Sequence, residues 1–173
     1  MSEPILVVPV NFSPVGDSVP EGETVHYSTL AKVKLRGRSP VGAAIASTQT
    51  GGILGGEVHM VLTDKNILMA TLKHEEKHGV QTIPLTRINR VKKGSLFLVD
   101  AAIALKHDPK NTSEDKVAFK ARVAQFPKAV LPLVIAETKL QIESGQAAGQ
   151  KGLGMKMIQG KLKAFENQLS KLK

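Results

Sequence analysis

Five consecutive residues match a spacing that binds zinc in other proteins. His74-Glu75-Glu76-Lys77-His78 reads H-E-x-x-H, in which a helix places both histidines on one face and the glutamate acts as a base. Here the motif lies between the strand-like runs ILMATL and VQTIPL, and Gly79 follows it at once. We therefore expect a solvated turn between two β-strands and no metal site, and a zinc hydrolase is a distant alternative.

A ladder of cations is the second candidate for chemistry. Basic residues occupy every second position at Lys32, Lys34, Arg36 and Arg38, with apolar residues between the first three. A period of two indicates a β-strand with one buried face, so the cations share the opposite face. Neighbouring outward residues on a strand stand roughly 6–7 Å apart, and arginine can pair bidentately with phosphate. The ladder therefore faces either an anionic partner or only water.

Composition narrows the classes of function. The chain has 173 residues and a net charge of +9, from 24 Lys and Arg against 15 Asp and Glu, which favours anionic partners. With five Phe, one Tyr and no Trp, it offers few platforms on which nucleic-acid bases could stack, so we do not expect nucleic acid as a partner. The absence of Cys excludes disulfide and thiolate chemistry. The first apolar run is short and interrupted by Pro9, which argues against a signal peptide and for a cytoplasmic protein.

Strands must position most of these residues. Alternation of apolar and polar residues predicts strands in several runs: Ile5 to Val10, Val25 to Arg36, two within Glu57 to Leu72, VQTIPL, two or three within residues 88–108, and residues 116–122. A helical period follows from Pro127 to Glu143, where Pro132 either opens the helix or kinks it. Strands followed by a helix predict an α+β fold with about seven antiparallel strands.

Three segments flank or follow this domain, which we place at residues 21–145. Residues 1–20 form an arm that could add to a sheet edge, 146–154 a flexible linker, and 155–173 a basic amphipathic helix. The helix carries a heptad seam made of Met155, Ile158, Leu162, Phe165, Leu169 and Leu172. We predict that the seam pairs with a partner helix or a second copy, and packing on its own domain or on a membrane surface is the alternative.

Three stretches resemble the pleckstrin-homology-like (PH-like) superfold, especially its GRAM, prokaryotic PH and GLUE branches. They are EGETVHYSTLAKVKLRG, then GEVHMVLTDKNILMATL, then IPLTRINRV, and the resemblance covers about residues 21–143. It implies a barrel of two orthogonal antiparallel sheets with one corner closed by a C-terminal helix, and the terminal helix lies outside this pattern. It also implies binding rather than catalysis, although a fold alone does not identify a ligand.

The resemblance further implies a position for a bound anion. In this superfold the first strand and the following loop frame a phosphoinositide site, and the family pattern matches Lys34, Arg36 and Arg38 here. Lys32 precedes them on the same strand face, and further cations could come from Lys65, Lys92 and Lys93. We therefore expect a non-enzymatic adaptor module without a cofactor, cytoplasmic or peripheral at a membrane. Its partner would be a protein, such as ubiquitin or a trafficking component, or an anionic membrane surface. Self-assembly into a homo-oligomer through the terminal helix is the alternative function.

Overall fold

A computed structural model describes an antiparallel sheet followed by two helices, over residues 3–35, 57–71, 80–98, 103–107 and 116–172. The elements in chain order are β1 (Ile5–Leu6), β2 (Val25–Leu35), β3 (Glu57–Thr63), β4 (Asn66–Thr71), β5 (Gln81–Pro84), β6 (Ile88–Lys92), β7 (Ser95–Leu98), β8 (Ile103–His107), α1 (Lys116–Ala147) and α2 (Leu153–Lys171). Short 3-10 helices occupy Val10–Phe12, Pro14–Ser18 and Leu85–Arg87.

The sheet consists of two antiparallel meanders, β2 to β5 and β6 to β8, which β2 and β8 join into a curled half-barrel. Its strand order is β5-β4-β3-β2-β8-β7-β6, and every pair on this path is antiparallel. The long strand β2 joins two halves, because Val25–Lys32 pairs with β3 whereas Ala31–Leu35 pairs with β8. This stagger separates the two halves along β2 and bends the sheet. The predicted α+β fold with about seven antiparallel strands and C-terminal helices is confirmed at this level.

The main core lies between the inner face of the sheet and α1. Tyr27, Ala31 and Val33 of β2 are fully buried there together with Phe126 of α1. The rings of Tyr27 and Phe126 meet edge to face with their centroids 5.1 Å apart, a favoured geometry for aromatic pairs. The Tyr27 hydroxyl also donates a hydrogen bond of 3.1 Å to the carbonyl of Arg122. These contacts fix α1 over the strand that carries the predicted cations.

The N-terminal arm covers part of the outer face. β1 pairs in parallel with β2 at Tyr27 and Ser28. This part of the β2 edge is not occupied by β8, because β8 pairs with β2 only from Ala31 onwards. A second apolar cluster forms under the arm from Val15, Val61, Leu68 and Ala70. Ser28, which alternation assigned to the polar face with the cations, is consequently fully buried. Further along the same face of β2, Lys32 is exposed.

The prediction of a strand over residues 116–122 is wrong, because α1 begins at Lys116 and continues to Ala147. Val117, which alternation placed in the core, is 81% exposed. The segment is rich in Lys, Ala and Arg, and these residues have high helix propensity. Pro127 and Pro132 lie inside the helix, so each leaves one carbonyl of the preceding turn without its usual helical donor.

A defined turn, rather than a flexible linker, joins the two helices. The amide of Gln150 donates to the carbonyl of Gly145 at 2.8 Å, and the amide of Gly149 donates to Gln146 at 3.0 Å. With Gly149 at φ +76°, these two bonds constitute a Schellman motif, which ends a helix by satisfying its last carbonyls. Residues 146–154 are therefore the end of α1, this turn and the start of α2.

The terminal helix packs back on its own domain. Phe165 is 2% exposed within the main core, where Leu162, Leu169 and Leu172 also pack. Polar contacts support this position: Lys161 donates to the carbonyl of Thr86 at 2.8 Å, and Gln168 donates to Val91 at 2.6 Å. The seam predicted to bind a partner helix thus contacts α1 and the sheet, which was the alternative that the sequence left open.

Candidate anion-binding surface

The structure separates the predicted cations into groups. Lys32 lies in the exposed part of β2, and Lys92 and Lys93 are exposed at the turn between β6 and β7. Lys34 pairs with Ala104 through its backbone. Arg36 and Arg38 lie outside the described residues, as does the H-E-x-x-H motif at 74–78.

One row of residues across four strands brings lysines together. Lys32 of β2 is directly opposite Lys106 of β8, Lys106 is opposite Ser95 of β7, and Ser95 is opposite Lys92 of β6. Residues directly opposite each other on antiparallel strands share a face, with Cβ atoms about 5 Å apart. Their sequence neighbours Val33, Leu105, Leu96 and Val91 are all in the core, so the row lies on the outer face. Three of its four members are cationic.

A second row adds an arginine and an aromatic ring. Arg90 of β6 is exposed and pairs with Phe97 of β7, which is partly buried. The Lys92 ammonium lies 5.4 Å from the centroid of the Phe97 ring, a distance at which the ring attracts a cation. We call the four exposed cations Lys32, Arg90, Lys92 and Lys106 the basic outer face.

The electrostatics of this surface are unbalanced. Like charges directly opposite each other on neighbouring strands destabilise a sheet, and Lys32 and Lys106 form such a pair. The sequences of β2, β6, β7 and β8 contain no Asp or Glu. Glu57 of β3 lies opposite Lys32 on its other side and offsets part of this charge. Lys106 and Lys92 have no acidic residue opposite them on the strands with which they pair, so an anion above them would relieve the remaining repulsion.

Lys65 does not belong to this surface. It lies in the turn that follows Thr63, and Thr63 pairs with Val25 at the beginning of β2. Lys32 is seven residues further along β2, so the two ends are separated by roughly 23 Å at the usual rise of a strand. Lys65, which the sequence offered as a further cation beside those of β2, therefore lies away from Lys32.

Arg90 and Lys106 are the members that sequence reasoning missed. Lys106 follows Leu105, which faces the core. In β6 a register irregularity between Ile88 and Arg90 interrupts the alternation, so that Asn89 and Arg90 are both exposed. The missing information was the strand order. Only the pairing of β2 with β8 places Lys106 beside Lys32.

A buried serine–histidine cluster is the other arrangement with chemical character. Nδ1 of His59 lies 2.7 Å from Oγ of Ser13, and Nε2 lies 2.8 Å from Oγ of Ser28. Burial lowers the pKa of His59 to about 4, so the ring is neutral, with one nitrogen donating and the other accepting. His59 and Ser28 are fully buried, which closes the cluster to a substrate. Its role is to fasten the arm, through Ser13, to β2 and β3.

No protein-family model, curated protein or solved structure matches the chain. Within the described residues, no three His, Cys, Asp or Glu side chains are grouped to hold a metal ion. None of the helices seen in that part of the chain is long and apolar enough to cross a bilayer.

Proposed function

We propose that the protein is a non-catalytic PH-like binding module that docks on an anionic membrane surface through the basic outer face. The observation that carries this proposal is the row in which Lys32, Lys106 and Lys92 lie on neighbouring or near-neighbouring strands of one face. The fold assignment is supported by seven antiparallel strands, of which β2 and β8, the first and last along the chain, pair with each other. A helix over the core follows them.

The spacing of the cations favours an extended anionic surface over a single small anion. Lys32 and Lys92 are three strand spacings apart, which is roughly 14 Å and more than one phosphate group can bridge. Each Lys or Arg near an anionic bilayer contributes about 1 kcal/mol of attraction. Four exposed cations therefore give a weak, reversible and salt-sensitive attachment. An acidic protein surface, such as a ubiquitin-type partner, would engage the same side chains and is the competing outcome.

No observation favours self-assembly through the terminal helix as a second function. The seam that such assembly would require packs against the main core at Leu162, Phe165 and Leu169. Exposing it for a partner would remove Phe165, which is 2% exposed, from the protein interior at a cost of about 1.5–3 kcal/mol.

Co-sedimentation with vesicles tests membrane docking. The protein should bind phosphatidylcholine vesicles that contain phosphatidylserine, release from them at high salt, and ignore pure phosphatidylcholine. The Lys32→Gln/Lys106→Gln variant should bind about 30-fold more weakly, because two cations are removed. Glutamine is used because glutamate at both positions would form an acidic row with Glu57.

The matched control is Lys65→Gln/Lys128→Gln, which removes the same charge from exposed positions away from the basic outer face. It should bind nearly as well as the unmodified protein. Equal loss in both variants would mean that only net charge matters, and the assignment of the surface would fail. Tight binding to an acidic protein without binding to vesicles would replace the membrane with a protein partner.

A further inference from the structure

The start of α2 exposes two large apolar side chains. Leu153 is 75% exposed and Met157 is 67% exposed, and among the large apolar side chains described only Val117 is more exposed. They are four residues apart at the start of α2, so they lie on the same face of the helix. The seam residues Ile158 and Leu162 are partly buried. Leu153 and Met157 are therefore not part of the contact that holds α2 on its domain.

The sequence that flanks this apolar pair is basic. Between Glu143 and Glu166 the chain contains four lysines and no acidic residue. Lys151, Lys156 and Lys163 are exposed, whereas Lys161 is held by the carbonyl of Thr86. We call Lys151, Leu153, Lys156 and Met157 the hairpin tip. Its combination of exposed apolar groups and uncompensated positive charge matches the boundary between head groups and acyl chains of an anionic bilayer.

The hairpin tip is held by an ordered turn and by the packing of α2 on α1. The Schellman bonds to Gly145 and Gln146 terminate α1, and α2 begins directly after Gly152 at φ +106°. α1 and α2 also pack against each other, with Lys139 and Glu166 forming an ion pair of 3.5 Å. Little conformational freedom remains to be lost when the tip meets a surface, which favours binding by a pre-organised element.

We propose that the hairpin tip inserts Leu153 and Met157 into the interfacial layer of an anionic bilayer, with Lys151 and Lys156 against lipid phosphates. This inference rests on the proposed membrane docking and adds an insertion element to it. Two tips pairing in a dimer would bring their lysines together without an acidic partner. The charge pattern thus selects an anionic surface over a second copy of the chain.

A fluorophore attached at the tip tests insertion directly. The chain has no cysteine, so Met157→Cys provides a single site for an environment-sensitive label. On vesicles of phosphatidylcholine with phosphatidylserine, the label should shift to the blue and be quenched by doxyl groups on the acyl chains. The control is a label at Ala136→Cys, an exposed position in the middle of α1, which should show neither change.

Apolar and charged contributions can be tested separately at the tip. Leu153→Gln/Met157→Gln should weaken binding to these vesicles roughly tenfold or more, because the buried apolar area is lost. Val117→Gln, at an equally exposed apolar position, should leave it unchanged. Lys151→Gln/Lys156→Gln should weaken it about 30-fold at low salt. Unchanged binding of the first variant would overturn insertion, whatever the other results.

The outcomes separate this inference from the docking surface. If the protein binds vesicles but the label at position 157 is not quenched, insertion is overturned and docking by the basic outer face stands. If the label is quenched while Lys32→Gln/Lys106→Gln binds normally, the tip is the membrane contact and the proposed docking face is overturned. Absence of any binding to phosphatidylserine vesicles overturns both.

Discussion

His59 connects residue chemistry to stability, because the folded protein keeps its imidazole neutral between two hydroxyl groups. Burial lowers its pKa from 6.5 to about 4. Between these values the unfolded chain binds a proton that the folded chain does not, so the free energy of unfolding increases with pH. The stabilisation is complete above about pH 6.5 and is lost as the pH falls towards 4. Each unit of pKa difference corresponds to about 1.4 kcal/mol.

The His59→Gln variant should reduce this acid sensitivity. Glutamine retains a donor and an acceptor for the two serines but does not titrate. His107, whose pKa burial also lowers to about 4, remains in the variant and contributes a pH dependence of the same sign. Urea denaturation at several pH values from 4 to 6.5 should therefore give a smaller slope of unfolding free energy against pH than the unmodified protein gives. An unaltered slope would show that His59 is not held neutral by the fold.

At the scale of elements, the turn between α1 and α2 decides whether the hairpin tip is fixed. Gly149 adopts φ +76°, which costs roughly 1 kcal/mol for a residue with a Cβ atom. Gly160 lies within α2 with open space around it, where alanine is better than glycine by about 1 kcal/mol. Gly149→Ala should therefore lower the urea midpoint, and Gly160→Ala should raise it. A turn that tolerates Gly149→Ala would not be the rigid support that insertion requires.

A local sequence pattern predicts a strand or helix correctly only where each face of it lies in a single environment, either the core or the solvent. Alternation identified β2 and the hairpin of β3 and β4 because Tyr27, Ala31 and Val33 face the core in every second position. It failed at Ser28, since the arm that buries this residue is distant in sequence and pairs through a two-residue strand. It failed again at residues 116–122, where a short alternating run is compatible with both strand and helix. Tertiary contacts decide such segments.

The candidate surface shows the same limit. Lys32 was found from the sequence because it belongs to an alternating run, whereas Lys92 was included only as a further cation that could join it. Lys106 was missed and Lys65 was included, because the sequence does not show which strands are neighbours in the sheet or which of their ends lie together. Sheet register answers that question, and it depends on long-range pairing that a single sequence does not encode in a local pattern.

For the whole molecule, the net charge of +9 is concentrated in part on two described surfaces with different physical character. The basic outer face is a set of cations on a sheet, so its attraction to a membrane should weaken strongly with salt. The hairpin tip adds apolar side chains, and burial of apolar area is not screened by ions. Salt can therefore distinguish the two contributions on one vesicle.

Combining the variants tests whether both surfaces touch the same bilayer. Lys32→Gln/Lys106→Gln should reduce the steepness of the salt dependence, whereas Leu153→Gln/Met157→Gln should lower affinity at every salt concentration without changing that steepness. Contributions from separate sites add as free energies, so the fourfold variant should show the product of the two fold-losses in vesicle partitioning. If it binds no more weakly than Lys32→Gln/Lys106→Gln alone, the tip does not reach the membrane that the sheet contacts. If both surfaces contact the bilayer at once, the protein binds bivalently, and two weak contacts together give a higher affinity than either gives alone.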